Sequence, residues 1–415
     1  MTTSQNRTLL IIGSVWPEPT SSAAGSRMMQ LIQLFLSEGY KITFASIAAE
    51  SPYMVDLKSI GVNSSSIKLN NSSFDTFITE LDPAIVLFDR FMTEEQFGWR
   101  VACHCPDALR ILDTEDLHCL RHARQKAVKE KRAFLPDDLI SDFSKREIAS
   151  ILRCDLSLII STYEMKLLQH FFKVDEALLH YTPFMLEALS DKQIKAFPVF
   201  EEREHFISIG NFLHEPNWDA VEFLKSEIWP LVKKQLPEAE LLIYGAYPSQ
   251  RVFELHNPKH GFIIKGRAEN ATEVMKKARV CLAPLRFGAG LKGKLIDAMI
   301  AGTPSVTTSV GAEAMHGALP WSGGIADTAK EIAEAAIRLY TNKTEWEQAQ
   351  QNAVNIINTH YPKKIAEEQL LHKINTIACN LKGHRLKNFT GAMLMHHLLM
   401  STKYMSRWIE EKNKK

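Results

Sequence analysis

No stretch of the 415-residue chain approaches the ~20 apolar residues that a membrane-spanning helix requires. The apolar run in MTTSQNRTLLIIGSV ends within a few residues, before Trp16-Pro17, and reads as a core strand rather than a signal sequence. Charge imbalance is also missing, since 49 Lys and Arg face 48 Asp and Glu, a net +1. A general nucleic-acid binder needs a clustered basic excess to release counterions from phosphates, so nucleic acid is not an expected partner. Six cysteines are few for this length, which points to a cytoplasmic chain with reduced thiols. Neither an internal repeat nor a low-complexity tract is visible. What remains is an ordinary folded composition, 45% hydrophobic and 23% charged, in a chain long enough for two domains with separate cores.

The chemistry is densest between Val280 and Ala314, VCLAPLRFGAGLKGKLIDAMIAGTPSVTTSVGAEA. Gly288, Gly290 and Gly293 let the backbone turn tightly and bring main-chain N–H groups close to an anion. Leu291, Leu295, Ile296, Met299 and Ile300 follow at helical spacing, so the positive end of a helix lies beside the turn. Lys292 and Lys294 add two mobile charges there. Asp297, one turn further in, suits the hydroxyls of a ribose. A nucleoside diphosphate would satisfy all of these groups together, and a glycine-rich turn that only packs is the alternative.

The flanking segments have the same alternation. HFISIGNFLHEPNWDAVEFLKSEIWPLVKKQLPEAELLIYG (His205 to Gly245) reads as strand, loop, helix, strand, followed by the strand FIIKGR (Phe262 to Arg267) and a helix from about Ala271 to Ala278. With the pattern G-x-G-x-K-x-K-x-x-[DE]-A-x-x-x-G-x-P-x-V-T-T, the span Phe206 to Met315 resembles the C-terminal domain of the group 1 nucleotide-sugar glycosyltransferases. That resemblance implies an α/β chain of two facing Rossmann-like domains, the arrangement called GT-B, with a C-terminal helix crossing back to the N-terminal domain. It also implies a nucleoside-diphosphate sugar as donor. In the N-terminal half, a strand at Leu9 to Gly13, a loop at Pro17 to Gly25 and a helix at Ser26 to Ser37 fit the family's acceptor domain and many other open α/β folds. The expected domains are residues 1–190 on the acceptor side, 204–375 on the nucleotide side and a helical tail, 376–415. Pro183, Pro198 and the charged run Glu201 to Glu204 bracket the linker.

The resemblance assigns candidate residues. Lys292 and Lys294 would neutralise the leaving diphosphate, and Gly210, Asn211, Arg267, Gly288, Gly290, Leu291 and Asp297 would line the donor site. Gly25 and Ser26 would border the cleft from the acceptor side. Many retaining members carry two glutamates separated by seven residues, the first touching the donor sugar; here those positions hold Ala289 and Asp297, which leaves the sugar and the stereochemical outcome open. Asn211 and Asn217 stand where many members have Arg and Lys, so Arg267 or Arg286 would help the two lysines with the charge.

A second cluster follows the strand ALRIL. The loop Asp113-Thr114-Glu115-Asp116-Leu117-His118 should face the crevice at the carboxyl end of the first sheet, where His118 or Asp116 would polarise an acceptor hydroxyl or hold the sugar. Capping of the next helix is the competing use of Asp113 and Asp116. Cys103, Cys105, His118 and His122 imitate a zinc-finger spacing, with a first pair that is too close. The basic stretch RHARQKAVKEKR, Arg121 to Arg132, is either a solvated face or a peripheral contact with anionic membrane. The Met-rich tail Asn388 to Trp408 is read as packing on the N-terminal domain, with a membrane anchor as competitor.

The expected activity is therefore transfer of a sugar to a glycan, lipid-linked or small-molecule acceptor, in envelope or exopolysaccharide synthesis. The reaction would retain configuration and need no cofactor or metal, since no D-x-D pair lies near the phosphate site. A sugar-nucleotide epimerase and a non-catalytic nucleotide-sugar-binding protein are the alternatives.

Overall fold

The computed structural model describes residues 7–414, with the side chains of 397–400 and the residues Met1 to Asn6 of the N-terminal reading outside the described residues. Two all-parallel sheets organise it. The first contains β1 (Thr8–Gly13), β2 (Lys41–Ser46), β3 (Asn63–Ser66), β4 (Ile85–Asp89), β5 (Leu109–Asp113), β6 (Leu156–Ile159) and β7 (Leu179–Tyr181), in the order β3-β2-β1-β4-β5-β6-β7. The second contains β8 (Glu204–Ile209), β9 (Leu241–Tyr244), β10 (Phe262–Gly266), β11 (Ala278–Ala283), β12 (Ser305–Thr307) and β13 (Gly323–Ile325), in the order β10-β9-β8-β11-β12-β13.

Strands covered on both faces should be continuous apolar runs. TLLIIG and IVLFD are such runs, and from Leu9 to Gly13 and Ile85 to Asp89 every residue is buried. One face of the first sheet packs Leu10, Val86 and Leu112 against Phe97, Leu120 and Ile151; the other packs Leu9, Ile11 and Leu87 against Leu31, Phe35 and Ile374. In the second sheet, Phe206, Leu241, Ile243 and Val280 meet Trp229, Ile332 and Trp346. The order of each sheet reverses between β1 and β4 and between β8 and β11, and at such switch points the loops diverge and leave a crevice beyond the carboxyl ends.

The expected α/β architecture with two Rossmann-like domains is what the structure has, and the tail does cross back. The crossing begins earlier than residue 376. Ala366, Leu370, Ile374 and Ile377 of the helix Lys363–Cys379 lie in the core of the first domain, so the boundary expected at 375 falls inside a helix that the first sheet needs to cover its face. The long helix Phe389–Asn413 also lies on the first domain: Arg100 reaches Ser406 (2.9 Å) and Glu410 (2.6 Å), and Asn388 donates to the carbonyl of Leu152 (2.7 Å). The two passages between domains run side by side, where Leu186 N–H donates to Tyr361 O and Lys363 N–H to Leu186 O, each 2.9 Å.

Candidate functional site

β8 ends at the second switch point, and Gly210 follows it. Next to it, the turn after β11 leads into the helix Gly293–Ile300, whose N-terminus no side chain caps. Lys294, in its first turn, points its ammonium over Gly210. A Cβ on Gly210 would lie 2.7 Å from Lys294 Nζ and 2.7 Å from Asn217 Cγ, so glycine is what leaves room for the lysine. Lys294 donates to Asn217 Oδ1 (2.6 Å), and Asn217 Nδ2 donates to Asn211 O (2.8 Å). Among the described residues no carboxylate pairs with this ammonium, and burial pulls its pKa down to about 8. Asp297 is the converse case: it has no cation partner among the described residues, and burial raises its carboxyl to about 6. An ammonium without a counterion, a carboxyl without a cation and free amides at a helix end share one corner of the molecule.

Lys292 behaves differently from the mobile charge expected. Its ammonium donates to Gly290 O (2.6 Å) and Ala289 O (3.1 Å), so it clamps the glycine turn from within; burial lowers it to about 8. Gly290, at φ 61°, fits the turn and lies so near the other domain that a Cβ would stand 2.8 Å from Asp116 Cβ. Its N–H donates to Glu164 Oε1 (2.8 Å), which also accepts from Leu117 N–H (2.9 Å). Gly288 O accepts from Arg124 (3.0 Å), whose guanidinium grips both oxygens of Glu313 at 2.9 and 2.8 Å. The side chains of Leu291 and Ala289 are buried, Leu291 beside Ile160 and Phe184 and Ala289 in the cluster of Leu117 and Ile159. Only the backbone of Leu291 is thus free to face a ligand.

Opposite stands the loop after β5. Asp113 is wholly internal, holding Arg27 through hydrogen bonds of 2.9 to 3.1 Å. Asp116 pairs with Arg121 and lies 3.4 Å from His118 Nε2. His118 is nearly buried, edge-on to Phe91, and burial lowers its imidazole to about 4, so it is neutral at physiological pH. The first amides of its helix are taken by Glu147, which accepts from His118 N (2.9 Å) and Cys119 N (2.7 Å), leaving no anion site there. Exposed His214, after β8, feels the charges of Arg121, Asp116 and Lys294.

Other expected residues are used for joining or shaping. Arg267 crosses to the first domain, donating to Thr20 Oγ1 (2.8 Å) with its guanidinium 4.2 Å over the ring of Tyr53; Tyr247 donates to Glu18 Oε1 (2.7 Å) beside it. Arg286 is committed to Asp219. Gly25 N–H donates to the capping Ser22 Oγ (3.0 Å), and Ser26 Oγ donates to Pro19 O (2.9 Å), so both shape the loop after β1. The finger-like spacing is packing: Cys105 Sγ donates to Ile78 O, and His122 stacks on Phe143. The basic stretch is less basic than it reads, because Arg121, Arg124 and Arg132 are drawn into ion pairs with Asp116, Glu313 and Asp138. Sequence reasoning does not single out Glu164, Arg124, Arg90 or Glu115; only Glu115 carries a signal, its place in the polar loop Asp113 to His118.

The architecture is GT-B, and residues 203–342 match the family model of glycosyl transferases group 1. The second domain is therefore similar over its length to the glycosyl transferases of group 1. Sucrose-phosphate synthase from Thermosynechococcus elongatus superimposes with TM-score 0.65 at 14% identity, over 89% of this chain and 99% of that one. A glycosyltransferase from Rickettsia africae gives 0.64 at 11%, over 91% and 100%. HepE of Anabaena, solved with UDP and glucose, gives 0.65 at 10%, over 88% and 99%. No curated protein matches by sequence.

Proposed function

We propose that the chain transfers a sugar from a nucleoside diphosphate sugar to a hydroxyl of an acceptor held by the first domain. The observation that carries this reading is the unpaired couple Lys294 and Asp297 at the second switch point, beside an uncapped helix N-terminus. A diphosphate would bring the counterion that Lys294 lacks, and ribose hydroxyls would use Asp297. As the glycosidic C–O bond breaks, negative charge grows on the diphosphate, and Lys294 with the amides would carry it without a divalent ion. Retention of configuration belongs to the proposal, as does an acceptor from glycan synthesis; a cytoplasmic setting suits the six free cysteines. HepE was solved with UDP, which favours a uridine nucleotide as the first donor base to try. Gly290 and Gly293 abut Asp116 and Ala23 of the first domain, so a donor enters only when the domains part.

A binding protein without turnover is the second reading, favoured by Ala289, which is buried where a sugar-contacting carboxylate would otherwise stand. The two separate on a panel of nucleotide sugars followed by calorimetry and by release of nucleoside diphosphate. Release from one donor, abolished by Lys294→Ala, supports the transferase; tight binding with no release from any donor, acceptors present, supports the second reading.

A further inference from the structure

β4 and β5 are paired so that Asp89 lies beside Asp113, and the next residues emerge from neighbouring strands beside the first switch point, at the carboxyl edge of the sheet. Both exits are bent. Arg90 has φ 69° and ψ 156°, and Glu115 has φ 62°. Side chains rarely adopt such backbone, and each instance costs on the order of 1–3 kcal/mol, which surrounding structure must sustain. Arg90 N–H is fixed by Asp113 O at 2.8 Å.

The polar groups here are only half used. Among the described residues the Arg90 guanidinium makes a single hydrogen bond, to Ser14 Oγ, and its Nε lies 3.7 Å from Asp89 Oδ1. Asp89, 4% exposed, accepts from Ser14 N and Oγ (both 3.1 Å) through Oδ2, while its Oδ1 accepts no hydrogen bond among the described residues. Glu115 is half-buried and its carboxyl has no hydrogen-bond or ion-pair partner among the described residues. Its backbone carbonyl would lie 3.4 Å from a Cβ on Gly290, so this wall adjoins the donor turn. Arg27, the other cation, is consumed by Asp113 and Thr182 O.

We propose that Arg90 and Glu115 form the recognition site for a neutral polyhydroxyl acceptor, Arg90 donating to one hydroxyl oxygen and Glu115 accepting from its neighbour. The proposal rests on the transferase reading and adds the acceptor's chemical class. A guanidinium and a carboxyl that follow neighbouring strand ends, each within electrostatic reach of the other, match the donor and acceptor faces of a diol. A phosphorylated acceptor fits poorly. Burial, and after it the charges of Asp113 and Asp89, pushes the Glu115 carboxyl well above the usual carboxylate range, and a phosphate here would meet the same two charges.

The test uses the full chain, the nucleotide sugar selected by the donor panel, and two acceptor probes, methyl α-glucoside and glucose 6-phosphate. Wild type is expected to transfer to the neutral probe in preference. Glu115→Ala should raise the KM for the neutral probe about tenfold or more, with donor hydrolysis and nucleoside-diphosphate affinity unchanged. Glu115→Lys should turn preference toward the phosphorylated probe. An unchanged KM in Glu115→Ala, or a wild-type preference for glucose 6-phosphate, overturns the proposal. Failure of every nucleotide sugar to bind counts against the transferase reading instead. The Arg90–Glu115 site is then judged by saturation-transfer NMR of the two probes alone: loss of the neutral-glycoside signal in Glu115→Ala supports it, and an unaltered signal overturns it.

Discussion

The ammonium of Lys294 fills the space that a Cβ of Gly210 would claim, 2.7 Å from where that atom would stand. Two variants therefore attack one interaction from opposite sides. Lys294→Ala removes the charge, and Gly210→Ala displaces it while keeping it. Each should weaken nucleoside-diphosphate binding about 10- to 100-fold by calorimetry, the worth of a charge-assisted hydrogen bond. Turnover should fall by about 100-fold or more in Lys294→Ala, because its charge is needed most as the leaving group departs. Wild-type activity in that variant would remove its assigned role.

Binding should also depend on pH in a defined way. Lys294 titrates near 8, below its ordinary 10.5, because burial disfavours the ammonium. Diphosphate affinity is then level below about pH 8 and falls above it, and binding at pH 8 takes up a proton as the anion restores the charged form. Heats of binding in buffers of different ionisation enthalpy measure that uptake. Without ligand the sign for folding is reversed: between about 8 and 10.5 the folded state holds fewer protons than the unfolded chain, so this group makes stability rise with pH. No proton uptake on binding near pH 8 would contradict an ammonium–diphosphate contact.

Glu164 accepts from one amide of each domain, Leu117 and Gly290. Glu164→Ala strands two buried N–H groups and should cost about 2–5 kcal/mol in chemical denaturation. Glu164→Gln keeps an accepting oxygen and should be mild. Burial, then the Asp116 charge, raises Glu164 from 4.5 to about 8, so its contribution is full below pH 4.5 and is lost as pH rises through 8. The glutamine variant should lack that slope, and melting temperatures between pH 5 and 9 will show whether it does.

Arg124 and Glu313 close the gap from opposite domains with a bidentate pair that is mostly shielded from water. A double-mutant cycle with Arg124→Ala and Glu313→Ala should give a coupling of about 1–3 kcal/mol. Small-angle scattering of Arg124→Ala should show a larger radius of gyration as the domains part. No change in either measurement would mean that closure does not depend on this pair.

The fold is legible in the sequence because parallel strands buried on both faces leave uninterrupted apolar runs such as LLII and IVLF, and the glycine-and-lysine turn has a pattern of its own. Lys294 and Asp297 can be named for the same reason, being a fixed distance along one helix. Arg124, Glu164 and Arg90 cannot. Their roles arise from groups 164, 126 and 76 residues away in sequence, and nothing local to Arg124 or Glu164 marks a partner in the other domain, nor anything local to Arg90 its partner Ser14 at the end of another strand. Lys292 misleads for a related reason: a lysine beside glycines looks like a free charge until the turn's own carbonyls close on it. The tail boundary falls in the wrong place because the apolar face of Lys363–Cys379 does not say which sheet it covers.

The side-by-side passage at Leu186 and Pro362 makes the donor half an insertion: one contiguous cassette enters and leaves the acceptor half at a single doorway. Cutting the chain there would not trim an appendage. It would strip the acceptor sheet of Leu370 and Ile374, so the acceptor half can stand alone only with its two pieces spliced together across the doorway.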